Sequence, residues 1–210
     1  MGLNDAFIRA KERLAKQRRP SAAGDGKRIP PGQFVSDRFP VLEISIDRPP
    51  IDLATWDLEV SGEVDLPRSF SWKDFQELKK TSQVSDFHCV TRWSKLDVKW
   101  AGVRWLELLA AVKPKPSATH ALLACADGYT TNLPLAELRR ETVLLADTLD
   151  GQPLPQEHGG PMRLVVPHLY GWKSAKFLRK IRFSAADEPG FWEVRGYHNH
   201  GDPWTEERYG

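Results

Sequence analysis

The chain has 210 residues, 40% hydrophobic and 28% charged, with a formal net charge of +2; this length suits one large domain with its own core, and the small charge argues against a protein that coats nucleic acid. Cys89 and Cys125 are the only cysteines, too few for a disulfide framework or a four-thiolate zinc site, though one bridge between them is open. No stretch reaches the ~18 apolar residues of a membrane helix, and the N-terminus lacks the layout of a secretory signal, so the expected location is cytoplasmic.

Leu3, Phe7, Ala10 and Leu14 recur at spacings that predict a basic amphipathic helix over 3–19. Residues 20–33 read as a linker. The chain therefore divides into an N-terminal helix and linker, 1–33, and a domain, 34–210. Phe34 to Leu42 leads into a loop at Pro49 and Pro50. Trp56, Leu58 and Val60 alternate with polar residues and predict a strand ending at Gly62. Ser71 and Asp74 form a capping box that opens a helix to about Lys80. Val84 to Val90 reads as a strand delivering Cys89 to its C-terminal end. Trp105 to Val112 reads as a helix stopped before Pro114, and His120 to Ala126 as a buried strand. Asn132 is placed to cap a helix over Leu135–Arg140. Short strands are expected at Val143–Ala146 and Arg163–Val166, with a turn at Asp150-Gly151 between them. A helical turn over Ser174–Leu178 leads into Ile181–Phe183. Strands and short helices alternate without a βαβ period, which predicts an α+β fold with a mixed sheet. The closing stretch GFWEVRGYHNHGDPWTEERY is too rich in aromatics for a disordered tail and is expected to pack on the body.

Two stretches can carry chemistry. In Asp86-Phe87-His88-Cys89-Val90-Thr91-Arg92-Trp93-Ser94, His88 and Arg92 would favour a thiolate at Cys89. A thiolate is a good soft metal ligand. The commoner fate of a lone cysteine is a buried, inert thiol. A Cys–His hydrolase is a rival, but on a strand His88 points to the opposite face from Cys89. In Arg163 to Lys176, Arg163, Lys173 and Lys176 fall among glycines with Ser174. A guanidinium fork and an ammonium point charge suit a phosphate, and glycines let the backbone come close. A helix opening at Ser174 would add its amides. The alternative is a solvated basic loop, against which Tyr170 and Trp172 speak.

His198, His200 and Asp202 could form a metal cluster, but Gly196, Gly201 and Pro203 favour a turn with local capping. Asp127-Gly128-Tyr129 reads as a turn whose side chains either pack or face a ligand. Cys125 reads as core. Eight tryptophans, several beside Gly, Pro, Lys or Arg, can wall a planar ligand or fill a core.

The segment His88 to Ser94, followed by Trp100-Ala101-Gly102-Val103, resembles the metal-ligand segment of the sulfite oxidase family. The match is closer to the bacterial protein-methionine-sulfoxide reductase catalytic subunit, and to its small cytoplasmic relatives, than to animal sulfite oxidase. Arg163 to Lys176 resembles the family's pterin-phosphate segment, and the aromatic C-terminal run resembles the closing segment of the small relatives. The resemblance covers roughly residues 37–210. It implies a sulfite-oxidase-type molybdopterin-binding fold and a molybdenum-molybdopterin cofactor, with Cys89 as the protein ligand to the metal. Arg163 falls on the phosphate-binding arginine, and Ser174, Ala175 and Lys176 on the phosphate loop. His158 stands where the methionine sulfoxide reductases carry an asparagine. Arg38 and His88 complete the implied cofactor contacts; Asp127, Tyr129 and Tyr170 are the implied substrate-pocket residues, with Trp93 and Trp100 shaping the cleft. The implied reaction is two-electron oxygen-atom transfer to or from a small sulfur- or nitrogen-centred substrate, with a separate electron-transfer partner. The alternative is a non-catalytic molybdopterin carrier or redox-partner module, which the retained Cys89 disfavours.

Overall fold

The computed structural model describes residues 3–16 and 28–210, which build an α+β body on two mixed sheets. In chain order the elements are α1 (Leu3–Lys16), β1 (Phe34–Val35), β2 (Asp57–Gly62), β3 (Arg68–Ser71), α2 (Trp72–Glu77), β4 (Lys80–His88), β5 (Trp93–Arg104), α3 (Trp105–Val112), β6 (His120–Cys125), β7 (Thr130–Pro134), α4 (Leu135–Leu138), β8 (Leu144–Leu149), β9 (Gln152–Pro153), β10 (Arg163–Val165) and β11 (Leu178–Ser184). The first sheet runs β1-β5-β8-β10, with β4 also against β5 and β9 against β8. The second runs β3-β2-β11-β6-β7. Only β1–β5 and β2–β11 pair in parallel among the described strands. One core draws on both sheets, taking Leu58 and Val60 from β2, Val98, Trp100 and Val103 from β5, and Ile181 and Phe183 from β11.

Local chemistry explains most element ends. The capping box at Ser71 is formed: its hydroxyl accepts from the Asp74 N–H, and the Asp74 carboxylate accepts from the Ser71 N–H. α3 keeps its expected bounds and stops at Lys113, which takes a left-handed φ of 52° before Pro114. Asp150 and Gly151 both have positive φ and turn β8 into β9, as a two-residue hairpin requires.

Several expectations are corrected. The Ser71 helix ends at Glu77, and Lys80 already belongs to β4, which starts earlier than Val84 and stops one residue before Cys89. β5, the longest strand, was legible in the alternation of Lys95, Asp97 and Lys99 with Leu96, Val98 and Trp100 but was not expected; β3 and β7 were not expected either. Asn132 caps nothing. It is buried in β7, where its amide donates to Asp187 and Asn199, and α4 follows Pro134 without a side-chain cap. No helix opens at Ser174: a 3-10 turn spans Gly171–Lys173, and the chain is irregular from Ser174 until β11. Helix amides therefore contribute no anion site there. No disulfide joins the two cysteines.

At the N-terminus, α1 forms as expected, and Ile8 packs against the core. The side chains of Leu3, Phe7 and Leu14, and residues 17–27 of the expected helix end and linker, lie outside the described residues. The rest of that linker is built into the body. Arg28 donates to both carboxylate oxygens of Asp86 and to Asp97, across the register shift between β4 and β5. Gln33 is 2% exposed.

Candidate active site

β4 and β5 form a hairpin whose connection is the four residues Cys89 to Arg92. The Cys89 N–H donates to the Trp93 carbonyl at 2.9 Å, and the Arg92 N–H donates to the Cys89 carbonyl at 3.0 Å. Arg92 closes the loop with a left-handed φ of 73°. The thiol at Cys89 thus sits at the tip of a rigid hairpin, with its sulfur 3.1 Å from the Thr91 hydroxyl oxygen.

That tip opens on a partly open cleft. Its walls include Phe39, Leu42, Glu43, Ile44, Phe87, Trp93, Trp172, Trp192 and Tyr197. Arg163, His158, Ser174, Lys176, Asp127 and Tyr129 line the same space. The structure therefore gathers seven expected site residues, Cys89 included, around one cavity. Three of the eight tryptophans wall it, while Trp56, Trp100 and Trp105 are core.

Arg163 is the centre of the basic side. Its guanidinium is buried and donates to the carbonyls of His158 (2.9 Å), Ser174 (2.7 Å) and Leu164 (3.3 Å). Burial lowers its pKa to about 10, so it stays charged at neutral pH. Three of its five N–H groups are spent on carbonyls, and the fork is held rigidly at the wall. The Ser174 hydroxyl accepts from the Val166 N–H at 2.9 Å. Lys176 donates to the Glu157 carbonyl at 2.7 Å and lies 3.8 Å from Glu43. Gly159 has a φ of +104°, and a Cβ there would meet the Lys176 side chain at 2.8 Å, so only glycine lets these segments close. The His158 ring lies 4.7 Å from the Phe39 ring, and burial together with Arg163 and Lys176 lowers its pKa to about 4. It is a neutral contact, not a cation.

The hairpin tip between β6 and β7 brings Asp127 and Tyr129 to the same cleft, with Asp127 in electrostatic reach of Lys176 and Glu43. The Tyr129 N–H donates to the Asp127 carboxylate at 3.1 Å, and its hydroxyl donates to the Trp172 carbonyl at 2.6 Å. Burial raises the Asp127 pKa and pushes the Tyr129 and Tyr197 phenols up, so both phenols keep their protons. Behind Trp172 runs a buried network. Glu193 accepts from Lys173 (2.6 Å), the Trp172 indole (3.0 Å) and the Thr131 hydroxyl (3.1 Å).

Four expected site residues lie off the cleft wall. Arg38 is exposed, although its neighbours Phe39 and Pro40 are on the wall. Ala175 is buried and uses its carbonyl to accept from the Leu164 N–H. Tyr170 is fully buried, stacked on Trp172 at 5.3 Å. His88 turns away from the cleft, bonds the Ser94 hydroxyl at 2.8 Å, and meets the Trp204 ring at 5.0 Å. Burial lowers its pKa to about 4. A neutral ring cannot supply the cation expected to favour a thiolate. Arg92 lies toward Glu206, at 3.9 Å, rather than into the cleft. His198 accepts from the N–H groups of His200 and Gly201, which is the local capping expected of it. Among the described residues no group of His, Cys, Asp or Glu is arranged to hold a metal by itself.

Sequence reasoning missed Gln33, Glu43, Trp192, Tyr197 and Arg208. The Gln33 amide donates to the Cys89 carbonyl at 3.0 Å, and Arg208 donates to the Val90 carbonyl at 2.6 Å. The only available signal was the aromatic density of the C-terminal stretch, which marked a packed segment but not its targets.

A soft sulfur, a fixed guanidinium with an ammonium beside it, and flat aromatic walls on one cleft fit a planar, anionic, metal-bearing cofactor, and they define a cofactor-dependent redox enzyme. The family described as "oxidoreductase molybdopterin binding domain" matches residues 45–192. An uncharacterized oxidoreductase of Bacillus subtilis is 45% identical over 87% of this chain and 92% of its own length. A protein-methionine-sulfoxide reductase catalytic subunit of Ralstonia nicotianae is 30% identical over 70% of this chain. The chain spans about half the length of that relative, with 49% covered. The sulfane dehydrogenase SoxCD of Paracoccus pantotrophus superposes with a TM-score of 0.64 at 20% identity, over 75% of this chain and 46% of that one, and so shares its fold. The chain belongs to the oxidoreductase molybdopterin-binding domain family, with the sulfite-oxidase-type fold and a molybdenum-molybdopterin cofactor.

Proposed function

We propose that this enzyme catalyses two-electron oxygen-atom transfer to or from a small, uncharged sulfur- or nitrogen-centred substrate. Cys89 is the protein sulfur ligand to molybdenum. The observation that carries this reading is the shared cleft, which puts the Cys89 hairpin tip and the Arg163–Lys176 segment around one space. Molybdenum-molybdopterin, when bound, supplies the two-electron redox change. Arg163 and Lys176 hold the cofactor phosphate, and His158 and the aromatic walls take its flat part. Trp93, Trp172 and Trp192 exclude water around the sulfur. Tyr197 and Tyr129 stay protonated, and Tyr197 presents a donor rather than a charge.

The charges on the wall favour an uncharged substrate. Its cations are Arg163 and Lys176, both in the phosphate segment, and they are offset by Glu43 and Asp127. An anionic substrate would find no spare cation among these lining residues. The similarity to methionine-sulfoxide reductases supports the same choice. Electrons pass to or from a separate carrier.

Purified protein from cells that make the cofactor should carry about one molybdenum per chain and release a fluorescent pterin on acid treatment. With an artificial electron carrier it should turn over neutral S-oxides or N-oxides faster than sulfite. Metal-free, pterin-free protein from such cells sinks the reading, and a preference for sulfite sinks the substrate class.

A further inference from the structure

Resting on the assignment of Cys89 as the metal ligand, we propose that Gln33 and Arg208 are positioning residues. They hold the Cys89 loop from behind and so fix the direction of its sulfur. The loop's own two bonds close the hairpin. They leave the Val90 carbonyl, and the second lone pair of the Cys89 carbonyl, facing protein. Gln33 takes the second at 3.0 Å, and Arg208 takes the first at 2.6 Å. Each carbonyl of the loop's first half is thereby held by a side chain from a far end of the sequence.

Both side chains are expensive to bury. Gln33 is 2% exposed and Arg208 4%. A buried amide or guanidinium costs free energy unless its polar atoms find partners. The fold keeps both although Gln33 Oε1 and Arg208 Nε are buried without a hydrogen-bond partner among the described residues. An aliphatic pair would fill the space without that cost, but could not hold a carbonyl.

Arg208 also touches the segment that carries Gln33. Arg208 reaches the Pro31 carbonyl at 3.5 Å and lies 4.8 Å over the Tyr170 ring. Its own carbonyl accepts from the His198 N–H at 3.2 Å, beside the bridge between Tyr197 and Tyr209. Gln33 and Arg208 both fall outside residues 45–192, the span that matches the family. The clamp therefore reaches the Cys89 loop from the two ends of the chain, outside the family-model span. Interactions behind a ligand orient it and tune the metal it holds.

The test uses holoenzyme carrying Gln33→Leu, Arg208→Lys or Arg208→Met, compared with wild type. It reads the thiolate-to-metal absorption band, the molybdenum midpoint potential and the Tm. All three variants should retain molybdenum yet displace the band and the potential. Arg208→Lys should not rescue, although it keeps the charge. An unchanged band and potential in Gln33→Leu and Arg208→Lys, with only a lowered Tm, overturns the clamp. Should Gln33→Leu fail to fold, the Arg208 pair decides. Equal displacement in both supports positioning, and displacement in Arg208→Met alone marks a pure charge effect and overturns it. A wild-type holoenzyme with no band that Cys89→Ser removes overturns the ligand assignment, and the clamp with it.

Discussion

Arg163 and Ser174, eleven positions apart, meet through a 2.7 Å hydrogen bond from guanidinium to backbone carbonyl, with both residues buried at the wall of the cleft. The same guanidinium also holds the His158 carbonyl. Arg163 thus ties the His158 turn to the Ser174 segment. Arg163→Met should leave two buried carbonyls unpaired and cost roughly 2–4 kcal/mol of stability, read by urea denaturation. Arg163→Lys keeps a charge but cannot span both carbonyls. It should fold and lose pterin at least tenfold faster on dilution, read by fluorescence of the released cofactor. Wild-type pterin retention in Arg163→Lys would remove Arg163 from the phosphate site.

Gly171 lies against Phe87, and a Cβ there would drive into the Phe87 ring. Phe87 lines the cleft and stacks on Trp93 at 5.9 Å. Gly171→Ala should therefore cost about 1–3 kcal/mol by overpacking. It should also displace a ring beside Cys89 and lower molybdenum occupancy in purified protein. The double variant Gly171→Ala/Phe87→Leu should recover stability, since the smaller side chain yields room. A Gly171→Ala protein with wild-type Tm would show that the ring moves freely.

How far the sequence could be read follows from the range of the forces involved. Strands with alternating burial, the capping box at Ser71 and the stop at Lys113–Pro114 are set by neighbours in sequence, and these were legible. Asn132 misled because its cap-like chemistry is spent across the fold, on Asp187 and Asn199. Ser174 misled in the same way: its hydroxyl goes to Val166 rather than to a helix start. Cys89, Arg163 and Lys176 were singled out because their types suit the chemistry, and they do line one cleft. His88 looked equally suitable, but its side chain faces Ser94 and Trp204, which only the hairpin geometry decides. Gln33 and Arg208 carried no local signal, because their targets lie 56 and 118 positions away.

The buried pair of Lys173 and Glu193, 2.6 Å apart, ties the turn behind Trp172 to the C-terminal segment. Lys173 also donates to the Asn132 carbonyl at 2.9 Å. Removing one partner leaves a buried charge uncompensated, so Lys173→Met should cost roughly 3–5 kcal/mol. The double variant Lys173→Met/Glu193→Leu should recover a large part of that loss, read as a double-mutant cycle in urea. Additive losses would mean that the two charges are stabilised independently.

Burial holds His158 and His168 neutral, each with a pKa lowered to about 4. His168 Nε2 lies 2.8 Å from the Glu137 carboxylate, but burial and the nearby Arg140 outweigh that attraction. Unfolding releases both rings to the usual ~6.5. Between about pH 6.5 and 4 the unfolded chain therefore binds protons that the folded chain refuses, and stability falls with acid across that window. Below about pH 4 both states are protonated and this contribution levels off. The carboxylates held low by hydrogen bonds and charge, such as Asp57 and Glu207, act further down, as pH drops below their ordinary range of about 4. The loss from the two histidines should be on the order of 2 kcal/mol after allowance for partial exposure. Urea midpoints measured from pH 7.5 to 4.5 should decline steadily, and His168→Gln should flatten the decline. A midpoint that stays level down to pH 5 would mean that both rings, and His88 whose pKa burial also lowers to about 4, titrate normally in the folded protein.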